Sequence, residues 1–222
     1  MHRYALSAFA LALLAGCGKA PPPAVAVAPT VPPPPVLIPA PMPAGARAGM
    51  MIPPRRTDGT WATPNRDLSA AGTIWHLRAA LNVAALACRG PREATMVAQY
   101  NALLAEQKTG LAAAEATLAN EFRATVSGDW RDRYDDDMTR LYNFFAQDMA
   151  RDGFCRAAEA TLTDAQGLPA ERLAPFAAER LPGLERPFTN FFTAYDRWRS
   201  GMLVPAPRAA PPVLRVDIAA LG

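Results

Sequence analysis

From about Ser69 onward, apolar residues recur at three- and four-residue steps, the period of an amphipathic helix rather than of a strand. Ile74, Leu77, Leu81, Ala84 and Cys88 mark a first helix over about 69–88, with Ser69 or Thr73 available to cap its start. Arg89-Gly90-Pro91 ends it and opens the next, with glycine past one end and proline in the other's first turn. Val97, Tyr100, Leu104, Gln107, Leu111, Ala114, Leu118 and Phe122 then form a bundle-like seam interrupted only by the polar Gln107. From Pro91 to Val126 a straight helix would rise about 54 Å, against about 32 Å for its successor. A kink or early stop is therefore expected near Thr109-Gly110, or C-terminal helices packed on the overhang.

Ser127-Gly128 breaks the pattern and Asp129 is placed to cap a third helix, whose face carries Trp130, Tyr134, Met138, Leu141, Phe145 and Met149. Asp152-Gly153 breaks it again, and a short fourth helix is expected over Phe154 to Leu162. Beyond that, Pro169 to Leu181 reads as a further helix, and Phe188, Phe191, Phe192, Tyr195 and Trp198 recur at helical steps. A period of two is confined to Val213–Ile218. The expected fold is all-α, a small antiparallel helical bundle over 66–203 with its core in 69–162.

The flanks differ in composition. Residues 17–65 are rich in proline and alanine, and proline fixes φ and lacks a backbone donor. The expectation is a disordered, semi-rigid linker with polyproline character, in which Val36, Leu37 and Ile38 leave room for a docking role. Residues 204–222 return to proline and alanine and are expected to be a loose tail.

The first residues are patterned for export: Arg3, an apolar run from Tyr4 to Leu14, then Ala15 and Gly16. That run is far short of the ~20 residues that span a bilayer. Leu14-Ala15-Gly16-Cys17 resembles the lipobox of bacterial lipoproteins. The resemblance covers only this N-terminal stretch. It implies a signal peptide over 1–16, cleavage before Cys17, acylation of the Cys17 thiol and the new amino terminus, and a lipid anchor. By the same resemblance Gly18, standing where Asp would signal retention, points to the outer membrane on its periplasmic side.

Charge and chemistry exclude more than they assign. The net charge is +3, and no Lys/Arg run interleaved with aromatics suggests nucleic-acid binding. One histidine, His76, remains after Cys17, on the border of the first helix's apolar stripe. No metal, phosphate-loop or nucleophile motif is present, so no cofactor and no catalytic set is assigned. Asp129, Asp132 and Asp136 share one helical face and are the weak candidates for a hard cation such as calcium. The alternative is a solvated helix start with Asp136 and Arg140 paired at i, i+4. Tyr142 and Phe144 lie off the main stripe of their helix. They are either an exposed ligand or partner surface or part of a wide buried face.

Three cysteines complete the reading. If lipid takes Cys17, Cys88 and Cys155 remain, an even number in an oxidising compartment, and an up-down bundle brings both to one end. A disulfide between them is expected, two buried free thiols being the competing reading. This cysteine-bracketed helical stretch otherwise resembles only uncharacterised bacterial envelope proteins, a likeness that carries no activity. The functional expectation is a lipid-anchored envelope protein with a helical binding or scaffolding module for an envelope-protein or cell-wall partner. The alternatives are a binder of a small apolar or aromatic ligand between helices and, third, a cell-wall-acting enzyme using a Glu such as Glu115 or Glu121.

Overall fold

A computed structural model describes residues 34–207, so the signal and lipobox residues, Cys17 among them, lie outside the described region. Within it the chain is helical: α1 (Ala70–Ala87), α2 (Glu93–Glu106), α3 (Lys108–Thr125), α4 (Trp130–Phe145), α5 (Arg151–Asp164) and α6 (Leu173–Arg199). Two short strands, β1 (Leu37–Pro39) and β2 (Leu203–Pro205), pair antiparallel. The expected caps form. Ser69 Oγ accepts the Gly72 N–H at 3.0 Å, and the Asp129 carboxylate accepts the Arg131 N–H at 2.9 Å.

α1 is the central helix, packed against α6 and α3 along its length and touching α2, α4 and α5. Ala79, Ala80 and Ala84 are fully buried, and their small side chains let the surrounding helices approach closely. The long α2–α3 seam breaks at Gln107, two residues before the expected Thr109-Gly110. There the backbone bends (φ −100°, ψ 15°), and the buried side chain donates from Nε2 to the Leu168 carbonyl at 2.6 Å. Just beyond, Gly110 admits α6: a Cβ on it would lie 2.8 Å from Leu173 Cδ2. The bend therefore occurs, while beyond it α3 packs chiefly on α1 and α4 rather than under the aromatic C-terminal helix.

The core does not end at residue 162. α6 runs unbroken for 27 residues through Pro182 and Pro187. Each proline removes one helical hydrogen bond, but Leu181, Leu184, Phe188, Phe191, Phe192 and Tyr195 are buried along the same helix. At roughly 1.5–3 kcal/mol per fully buried large apolar side chain, that stripe outweighs two lost bonds. Phe144, Phe145, Phe154 and Phe188 form one ring cluster with centroids 4.8–5.8 Å apart, joining α4, α5 and α6. Phe144 is therefore core, 5% exposed, and not a partner surface, while Tyr142 is half-buried and packed against the same core. Cys88, which ends α1, and Cys155 in α5 form a disulfide with Cα atoms 5.6 Å apart.

The expected linker boundary also shifts. Residues 36–66 form a strap laid over α6 rather than a free tether. Ala40 and Trp61 are buried, Trp61 Nε1 donates to Thr193 Oγ1 at 3.1 Å, and Tyr195 OH donates to the Arg47 carbonyl at 3.1 Å. Prolines exclude a central strand but not an edge pair, so β1 and β2 form with Pro39 opposite Leu203 and Pro205 opposite Leu37. Residues 203–205, at the border of the expected loose tail, supply the second strand.

Candidate functional site

The strap ends in Thr63, Asn65 and Arg66, which converge on one carboxylate. Glu185 sits on the apolar face of α6, one turn from Leu181 and Phe188, and is 6% exposed. An ionised side chain there must be satisfied or it destabilises the fold. Thr63 Oγ1 and Arg66 Nη2 donate to it closely, and Asn65 Nδ2 reaches Oε1 at 3.5 Å. Arg66 Nε also donates to Thr63 Oγ1 at 3.2 Å. The same Asn65 turns its Oδ1 to His76 Nδ1, 2.9 Å away, on buried α1. With Oδ1 as acceptor, Nδ1 carries the proton and Nε2 presents its lone pair. Burial pushes the His76 pKa down from 6.5 to about 4, against a smaller opposing pull from Asp137. The imidazole is thus neutral at pH 7.

After Arg66 the chain turns through Asp67, whose φ of 56° is one that Asp tolerates better than most residues, and enters α1 beside two adjoining clefts. The inner one, about 380 Å³, is bordered by Thr63, Arg66, His76, Met138 and Arg140. The outer, about 900 Å³, lies between the start of α1, the C-terminal half of α3 and the first turns of α4. Leu68, Leu118, Phe122 and Asp137 line both. The outer cleft carries six carboxylates, Asp67, Glu121, Asp129, Asp132, Asp136 and Asp137, and a single basic residue, Arg133.

Asp129, Asp132 and Asp136 do share this cleft, but they do not converge. Asp129 is engaged in capping α4 and Asp136 faces Arg140 at 3.7 Å. Among the described residues no three His, Cys, Asp or Glu side chains are grouped to hold a metal ion. Glu121 accepts from Ser69 Oγ at 2.7 Å, whereas Glu115 is exposed and lines neither cleft. Asp137 bonds Arg133 at 3.0 Å and Arg140 at 2.6 Å, fixing the border between the clefts.

Sequence reasoning missed Thr63, Asn65, Arg66 and Glu185. One signal was available: a glutamate spaced to fall among Leu181, Phe188 and Phe192 on an aromatic helix face calls for a partner. Comparison of the chain with protein-family models, with curated proteins and with solved structures finds no match.

Proposed function

We propose that this is a lipid-anchored cell-envelope protein, held at Cys17 and facing the periplasm from the outer membrane, whose helical domain binds a cationic partner. Support for the anchor is the sequence Leu14-Ala15-Gly16-Cys17 behind a short apolar run. Among the described residues no helix is long and apolar enough to cross a membrane. The observation that carries the binding half is the outer cleft. An apolar floor of Leu68, Leu118 and Phe122 lies under a rim with six carboxylates. Of these, Asp67, Asp136 and Asp137 pair with Arg56, Arg140 and Arg133, while among the described residues Glu121, Asp129 and Asp132 face no arginine side chain within 4 Å. Such a surface recognises a basic amphipathic segment, charge steering the encounter and apolar contact holding it.

A photo-crosslinker placed at Thr125, beside the cleft, tests this in intact envelopes. One discrete protein or cell-wall adduct is expected, lost when Asp132 and Asp136 are changed to Lys. An unchanged adduct in that variant sinks the reading. A second reading, a small ligand held between helices, is favoured only by the inner cleft. There Met138, Leu118 and Phe122 face Thr63 and His76 in a volume suited to a small molecule.

A further inference from the structure

Eight large apolar side chains are exposed among the described residues, and five of them gather in the two segments that β1 and β2 join: Val36, Leu37, Met42, Met202 and Leu203. The ladder extends past both strands. Ala40 N–H donates to Met202 O and Ala206 N–H donates to Val36 O, each at 2.8 Å. Residues opposite one another share a face of the ribbon. Leu37 and Pro205, with Pro39 and Leu203, therefore project from one side, while Ile38 and Val204 turn to the other and are half-buried. Leu37 and Leu203 are 55% and 57% exposed. By the same alternation Val36 and Met202 fall on the side of Ile38 and Val204. The outer face is therefore the apolar patch of Leu37, Leu203 and the two prolines, and such a patch marks a contact surface.

Two observations say what covers it. The first is charge. The sequence holds no Asp or Glu before Asp58 and none between Asp196 and Asp217, and both acid-free stretches carry arginines. Arg47 and Arg197 are exposed, Arg199 pairs with Asp196 at 2.8 Å, and the Arg197 carbonyl accepts the Met202 N–H at 3.0 Å, which puts the end of α6 against the ribbon. The second is chain length. Eighteen residues lie between Cys17 and Val36, nineteen steps or about 60 Å at polyproline spacing. Val36 itself begins the ribbon, so of the whole folded unit this face is reached first from residue 17. A short linker of that kind raises the effective concentration of whatever holds its far end.

We propose that the outer face of the β1–β2 ribbon, with the exposed Arg197 beside it, rests on the anionic surface of the membrane to which the chain is tethered. This rests on the lipid-anchor reading. Leucines sink into the headgroup boundary while arginines meet lipid phosphates. The acid-rimmed cleft, built from α1, α3 and α4, shares no residue with the ribbon.

The test uses the mature chain from residue 17 with its disulfide intact and Leu203→Cys carrying a polarity-sensitive dye. The chain is held on phosphatidylglycerol-containing vesicles by its native lipid or, in Cys17→Ser, by a synthetic lipid on the terminal amine. A blue shift and several-fold protection from aqueous iodide are expected at position 203. Neither is expected at Leu86→Cys, an equally exposed leucine in α1, and adding Leu37→Asp should abolish both at 203. No protection at 203, or equal protection at 86, overturns the proposal. If mass spectrometry shows Cys17 unacylated in cells, the anchor reading fails alone, because the synthetic lipid still reads the ribbon.

Discussion

His76 Nδ1 and Asn65 Oδ1 stand 2.9 Å apart, and through the Asn65 amide the imidazole is linked to the buried Glu185 carboxylate. This joins α1, the strap and α6 in one polar chain, and it makes folding pH-dependent. The folded pKa of His76 lies below the unfolded one, about 4 against 6.5, because burial disfavours the imidazolium. The unfolded state therefore binds more protons between those values, and stability falls as pH drops from 6.5 through 4. At 1.36 kcal/mol per pKa unit the loss is about 3 kcal/mol, complete below pH 4. Asp58, lowered by its Thr60 hydrogen bonds, adds a decline only at still lower pH, through its ordinary 3.8 and below. Melting temperature followed from pH 7 to 4 should fall in the wild type and stay nearly flat in His76→Gln; equal slopes would refute the assignment.

Glu185→Ala should be the most damaging single change in the polar network. It strips Thr63 and Arg66 of their acceptor and leaves a guanidinium, 29% exposed, beside an apolar helix face. Breaking a buried pair from one side costs about 3–5 kcal/mol; partial exposure of Arg66 places this case near the lower end. Because the strap is what the network holds, trypsin should then cut at Arg55 and Arg56 faster than in the wild type. Unfolding in urea and the cleavage rate measure the two effects separately.

Reduction should destabilise without changing the cleft. The Cys88–Cys155 bond spans 67 residues, and closing a loop of that length is worth roughly 4 kcal/mol in the chain-entropy account. That is a large share of the ordinary 5–15 kcal/mol of a small domain. Cys88→Ala/Cys155→Ala should melt lower than the wild type, by an amount that reductant does not increase. The bridge lies at the far end of α1 from Ser69 and the outer cleft, so crosslinking from Thr125 should persist below the lowered melting point.

What could be read from the chain was local. α1 and α4 announced themselves by period and by Ser69 and Asp129, each cap acting within three residues. The disulfide followed from parity and helix order. The bend in the α2–α3 seam was signalled twice, by glycine at 110 and by the polar Gln107, and the residue that bends is the one whose side chain reaches the Leu168 carbonyl. What could not be read was long-range. Pro182 and Pro187 argue locally for a stop, and only the ring cluster around Phe188 overrides them. Thr63 and Glu185 lie 122 residues apart, so neither residue's neighbours disclose the pair. The strap was hidden for the same reason: proline content describes backbone freedom, while Trp61 is ordered by Phe192 and Thr193 on a helix near the other end of the chain.

Two glycines in helices should respond oppositely to alanine. Asp152-Gly153 reads as a break, yet Gly153 lies inside α5. The ring of Pro187 crosses it there, and a Cβ on Gly153 would meet Pro187 Cβ at 3.0 Å and Cγ at 3.3 Å. A proline ring cannot rotate aside, so α5 and α6 must separate slightly, and overpacking of this kind costs about 1–3 kcal/mol. The helix-propensity gain of about 1 kcal/mol from Gly to Ala offsets part of it. Gly153→Ala should thus be neutral to about 1–2 kcal/mol less stable. At Gly183, midway along α6, a Cβ meets nothing within 4 Å. The propensity gain then stands alone, and Gly183→Ala should be more stable by about 0.5–1 kcal/mol, partly by restricting the unfolded chain. Urea denaturation at pH 7 compares the two directly. A gain at Gly153 as large as that at Gly183 would show that α5 and α6 do not meet closely at Pro187.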